Sequence, residues 1–111
     1  MVERGLFNEK YVLLDEMYSD PYFPDFLVDK VRDLIMVLIK KLEDGERDYD
    51  KIQEYLDQMT LAINDLEEEF YDNNSEIESL ARESISDAIL HILSHYAIRI
   101  YIEDALRLRN W

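Results

Sequence analysis

No cysteine occurs among the 111 residues, which excludes a disulfide framework and a thiolate zinc site and fits a reducing compartment. Glycine and proline number two each. That is too few for a P-loop or a dinucleotide fingerprint, both of which place several glycines in one short turn so that the backbone can approach phosphate. Long apolar runs are missing as well. The longest uncharged apolar stretch, Leu34 to Ile39, has six residues, against the ~20 needed to cross a bilayer. At the start of the chain, apolar residues are interleaved with Glu3, Arg4, Glu9 and Lys10, unlike a signal peptide. A soluble cytoplasmic protein without membrane association is the expectation.

Positive charge is scarcest in one contiguous stretch: residues 43–87 hold 16 Asp and Glu against three Lys and Arg, a net of −13 out of the chain's −14. Direct nucleic-acid binding needs cations to neutralise phosphates. The only basic clusters are Lys40-Lys41 and Arg107 and Arg109 near Trp111, too few to overcome that field, so no direct nucleic-acid binding is expected.

What is abundant is helical periodicity. Apolar residues make up 48 % of the chain and charged residues 34 %, enough for a core and outside the disordered class. The pattern predicts a first helix from Asn8 to about Tyr18, with Tyr11, Leu14 and Tyr18 one turn apart. Pro21 and Pro24 break it, and Tyr22, Phe23 and Phe26 around them read as a staple between this helix and the next. The second helix follows Asp25 as cap and runs to about Glu43, on the stripe Leu27, Val31, Leu34, Ile35, Leu38 and Leu42, with Gly45 as its stop. The third, from about Asp48 to Tyr71, alternates steps of four and three through Ile52, Leu56, Met59, Ile63, Leu66 and Phe70, a heptad seam. The same seam would also serve a homodimer. After the turn Asp72-Asn73-Asn74, Ser75 and Glu78 read as a capping box opening a fourth helix on Ile77, Ala81, Ile85, Ala88, Ile92 and Tyr96. A boundary is expected within Ala97 to Ile100, then a short helix with Ile102, Ala105, Leu106 and Trp111. The fold class is therefore all-α: an antiparallel helical bundle of three long helices plus two short ones, in a single domain spanning 1–111.

Four segments also resemble a known family: Asp20 to Lys30, Asn64 to Phe70, Asn74 to Glu78 followed by Ala81-Arg82-Glu83, and Arg109-Asn110-Trp111. Together they make the chain from about Leu13 onward similar to a family of small helical proteins called domain of unknown function 5713. The resemblance implies a bacterial, cytoplasmic, all-helical protein and carries over no catalytic residues or cofactor. At His91 and His95 the sequence departs from the family, where apolar or amide residues are expected.

Two groups of residues are candidates for a site. Asp65, Glu67, Glu68, Glu69 and Asp72 crowd the end of the third helix, where the macrodipole disfavours each exposed carboxylate by roughly 0.3–1 kcal/mol. A solvated face is one reading; a docking surface for a basic protein, with the logic of an inhibitor, antitoxin or immunity protein, is the other. The alternative function is a metal-binding protein or metal-dependent enzyme using Glu83, Asp87, His91 and His95, which follow one another at steps of four along the fourth helix. Against it, no Glu-x-x-His occurs and two histidines alone make an incomplete site. Calcium at Asp72, Asn74, Glu76 and Glu78 fails for want of the turn glycine and the bidentate glutamate of an EF-hand. Ser84, Asp87 and His91 share a helical side, but one straight helix cannot aim a nucleophile, its base and an oxyanion hole at a single carbon. No catalytic residue and no cofactor is therefore expected.

Overall fold

The computed structural model describes residues 12–111. In chain order the helices are α1 (Asp15–Ser19), α2 (Asp25–Glu43), α3 (Tyr49–Asp72), α4 (Ser79–His95) and α5 (Ile102–Ala105). Among the described residues there is no strand, so the all-α class holds. At 24 residues, α3 is about 36 Å long and matches the molecule's longest dimension of 39 Å.

The seam of α3 is buried largely as its spacing predicts: Ile52, Leu56, Ile63 and Phe70 are fully enclosed and Met59 nearly so, while Leu66 is only partly buried. Its partner is α2, which buries Leu27, Val28, Val31, Ile35, Leu38, Ile39 and Leu42. The two form an antiparallel hairpin, because Lys30 near the start of α2 pairs with Glu69 near the end of α3 at 2.7 Å. α4 returns antiparallel to α3 and packs on α1 and α5. Its end meets the end of α2 where Tyr96 donates to Glu43 (2.7 Å), and the backbone N–H of Arg99 donates to the Tyr49 hydroxyl at the start of α3 (2.7 Å). α1 closes the other side, packing on α4 and α2, with Ser84 donating to Glu16 (3.1 Å) and Tyr18 to Asp29 (2.6 Å). Burial and the neighbouring Asp29 carboxylate push the Tyr18 phenol up to about 12.

Three helices end in one backbone device. At the end of α2 the N–H of Glu46 reaches Lys41 O (3.1 Å) and that of Gly45 reaches Leu42 O (3.0 Å), the paired bonds of a Schellman motif. The end of α3 repeats them with Ser75 to Phe70 (2.9 Å) and Asn74 to Tyr71 (3.0 Å), and the end of α4 with Ile98 to Leu93 (2.8 Å) and Ala97 to Ser94 (3.1 Å). Each needs a left-handed residue, and Gly45 (φ 102°), Asn74 (φ 60°) and Ala97 (φ 57°) supply it. The boundary expected between Ala97 and Ile100 thus falls at the one of these three residues whose side chain most resists the conformation it must adopt.

Several local expectations differ. The first predicted helix falls partly outside the described residues, since Asn8 to Tyr11 are not among them; from Val12 the chain turns, and Leu14, buried at φ 61°, delays the helix until Asp15. Pro24, not Asp25, precedes α2, and Asp25 occupies its first turn, where an acid suits the dipole. The capping box does not form. Glu78 is the N-cap and accepts from Leu80 N (3.1 Å), because Ser75 is consumed by the Schellman turn of α3 and its buried hydroxyl finds no partner among the described residues. Of the aromatic staple only Phe23 is buried, while Tyr22 and Phe26 stay exposed.

Two pairs of substitutions test these ends. Ala97→Gly should raise stability by ~0.5–1 kcal/mol and Gly45→Ala should lower it by about 1 kcal/mol, because relief of left-handed strain outweighs the added freedom of the unfolded chain. Nothing lies within 4 Å of a Cβ built on Gly45, so strain alone sets the sign there. Urea midpoints of the two variants check both. Ser75→Ala should leave stability unchanged or slightly higher, whereas removing the Glu78 cap in Glu78→Ala should cost ~0.5–1 kcal/mol; a capping box would reverse that order.

Candidate functional site

The outer side of α3 is an exposed acidic surface. Glu54, Gln58, Leu61, Asp65, Glu68 and Asp72 follow one another at steps of four and three and are all exposed, so they form one stripe along the helix opposite the buried seam. Among the described residues, no cation pairs with any of its four carboxylates. The last turn of α3 contains no basic residue to offset the negative end of the dipole.

The five predicted acidic residues do not all share this surface. At 3.6 residues per turn, Asp65, Glu68, Glu69 and Asp72 lie within an arc of about 100°, and Glu67 points roughly 150° from its centre. Glu69 is half-buried and committed to Lys30 of α2 (2.7 Å). Glu67 instead lines a depression of about 220 Å³ with Tyr71, Glu76 and Ile77. Nearby, desolvation and then the charges of Glu76 and Glu78 raise the Tyr22 phenol, which sets the loop between α1 and α2 beside the acidic turn after α3. The segment thus divides into an outer stripe and a turn facing the first loop.

Glu83, Asp87, His91 and His95 are exposed along α4. Glu83 and Asp87 share a depression of about 310 Å³ with Arg82, Ser86 and Arg109, so cations already face them. His95 stacks edge-on against Tyr96, with ring centroids 4.7 Å apart. Among the described residues no three His, Asp or Glu side chains are grouped to hold a metal ion. Ser84 is buried and turned toward Glu16 rather than toward Asp87.

A feature that periodicity does not reveal is the clamp holding residues 102–111 against the remaining side of α3. Arg107 grips Asp57 with two bonds, Nε to Oδ1 at 3.1 Å and one terminal nitrogen to Oδ2 at 2.6 Å. Gln53 donates to the carbonyl of Asp104 (2.8 Å). Asn64 donates to the carbonyl of Leu108 (2.8 Å) and accepts from the N–H of Asn110 (3.0 Å). Between them Ala105, Leu106 and Trp111 are buried. One α3 carboxylate is thereby neutralised and the outer stripe is left out of the exchange. The signal lay in amide and acid residues on α3 at positions 53, 57 and 64, which a hydrophobic pattern passes over.

Partial burial opposes ionisation of Asp57, but the hydrogen bonds from Arg107 and Gln53 and the Arg107 charge prevail and hold its carboxyl below the usual range. A carboxyl depressed in the folded state contributes stability that is complete above its unfolded value and is lost as pH falls through its folded one. Trp111, the only tryptophan, reports on the clamp. Its fluorescence should shift toward that of an exposed indole on acidification below the usual Asp range, and Asp57→Asn should show part of that shift already at neutral pH.

Compared with known proteins, residues 7–111 match the model of a family described as a family of unknown function (DUF5713), and the chain belongs to that family. Neither the curated proteins nor the solved structures provide a match.

Proposed function

We propose that this member of a family of unknown function is a noncatalytic cytoplasmic protein-binding module that docks a basic protein through the outer acidic stripe of α3, acting on that partner as an inhibitor, antitoxin or immunity protein does. One observation carries the reading. Asp65, Glu68 and Asp72 stand exposed and without an ion pair among the described residues, at the helix end where the dipole opposes them. Local stability argues against three acids in that place, and an exposed single-sign stripe accelerates encounter with an oppositely charged surface. The two carboxylates of α3 that find cations among the described residues, Asp57 and Glu69, point away from the centre of the stripe and fasten the fold.

Support also comes from what surrounds the stripe. Among the described residues no helix is long and apolar enough to cross a membrane, and the buried apolar side chains belong to one core cluster. Reading the stripe as a solvating surface explains its exposure but not its position at the unfavourable end of α3.

The test separates binding from folding. Glu68→Lys with Asp72→Lys should leave helicity intact and raise thermal stability, by roughly 0.3–1 kcal/mol for each charge reversed, while abolishing retention of a basic protein from native cell lysate in a low-salt wash. Equal retention by the variant would remove the stripe from the docking surface.

A further inference from the structure

Alongside the acidic stripe, α2 and α3 leave an apolar hollow between them. It has a volume of about 270 Å³ and is walled by Leu34, Val37 and Leu38 of α2 and by Tyr55 and Met59 of α3. Val37 is 56 % exposed at its mouth, and Leu61 interrupts the acidic stripe at 49 % exposure, one turn beyond Gln58, which also lines the hollow. The hollow and the stripe are therefore neighbours on one surface. Lys41 of α2 also lines the hollow, its ammonium 5.2 Å from the centre of the Tyr55 ring, while Lys30 and Lys40 on the same helix pair with Glu69 and Asp44.

We infer that the hollow between α2 and α3 seats the apolar anchor of a cationic amphipathic helix whose Lys and Arg residues face the carboxylates of the α3 stripe. Charge complementarity selects this occupant. Glu54 and Asp65 are the stripe carboxylates nearest the patch, Glu68 and Asp72 continue the stripe to about 20 Å beyond Met59, and none of the four has an ion-paired cation among the described residues; a chain of net charge −14 also repels a second copy of itself. The shape fits as well, since a furrow between two antiparallel helices accepts a third helix laid along it with apolar anchors one turn apart. The inference rests on the reading of α3 as the docking face and adds the form of the partner and the place of its anchor.

Two synthetic 18-residue peptides of equal positive charge serve as probes: one of Leu and Lys patterned as an amphipathic helix, the other with every Leu replaced by Ser. Val37→Glu makes the decisive comparison, because it fills the mouth of the hollow with a carboxylate and simultaneously adds negative charge. The Leu/Lys peptide should bind the unaltered protein at least about tenfold more tightly than the Ser/Lys peptide, and Val37→Glu should remove that advantage, as loss of a buried anchor does, without weakening the Ser/Lys peptide. Equal or tighter binding of the Leu/Lys peptide by Val37→Glu would overturn the hollow as a seat. Glu68→Lys with Asp72→Lys tests the underlying reading separately: it should weaken both peptides, and if it weakens neither, the acidic face fails whatever the hollow does. Light scattering on the unaltered protein and on Val37→Glu covers the remaining occupant, since a dimer that the substitution dissolves would assign the hollow to a second copy and overturn the inference.

Discussion

Burial of the α3 seam is the constraint on which the other parts of this molecule depend. Ile52, Leu56, Ile63 and Phe70 are fully enclosed, and each such side chain contributes roughly 1.5–3 kcal/mol on leaving water. That seam fixes the rotation of α3 about its axis, and the rotation decides what every other side of the helix meets. One flank supplies Gln53, Asp57 and Asn64 to the clamp on residues 102–111. The other supplies Tyr55 and Met59 to the hollow against α2. The side opposite the seam receives Glu54, Asp65, Glu68 and Asp72, with no partner for them among the described residues. A slip of one position in the seam would turn all three sides by about 100°.

Local and tertiary forces share the work unequally at the helix ends. Gly45 takes a left-handed conformation without strain, Asn74 tolerates it, and Ala97 accepts it only because Ile98 is drawn into the core behind it. The stop at Gly45 was therefore legible in the sequence and the stop at Ala97 was not, since no local preference of alanine signals it. Leu14 is the same case: its side chain is fully buried, and packing sets a backbone angle that leucine disfavours. Ser75 shows the converse. The spacing from Ser75 to Glu78 favours a capping box, yet the turn that ends α3 claims the backbone N–H of Ser75 first, and Glu78 caps α4 alone.

The same distinction runs through the candidate site. Periodicity along α3 separates the seam from the exposed side, so the acidic surface could be read from the chain. That Glu67 leaves the surface follows from its helical angle, but that Glu69 is committed to Lys30 requires knowing that the two helix ends meet across 39 residues of sequence. The clamp is more remote still, joining Arg107 to Asp57 over 50 residues through polar side chains that carry no periodic signal. Chemistry excluded early, such as phosphate binding at a glycine-rich loop, rested on missing residue types and needed no geometry.

Membership of a family of unknown function leaves the charged surface as the guide to activity. Once a basic protein has been recovered with this chain, the most direct test is the rate of their association measured across a series of ionic strengths. Electrostatic docking on α3 predicts a rate that falls steeply as salt rises while dissociation changes little. An association rate indifferent to salt would contradict it.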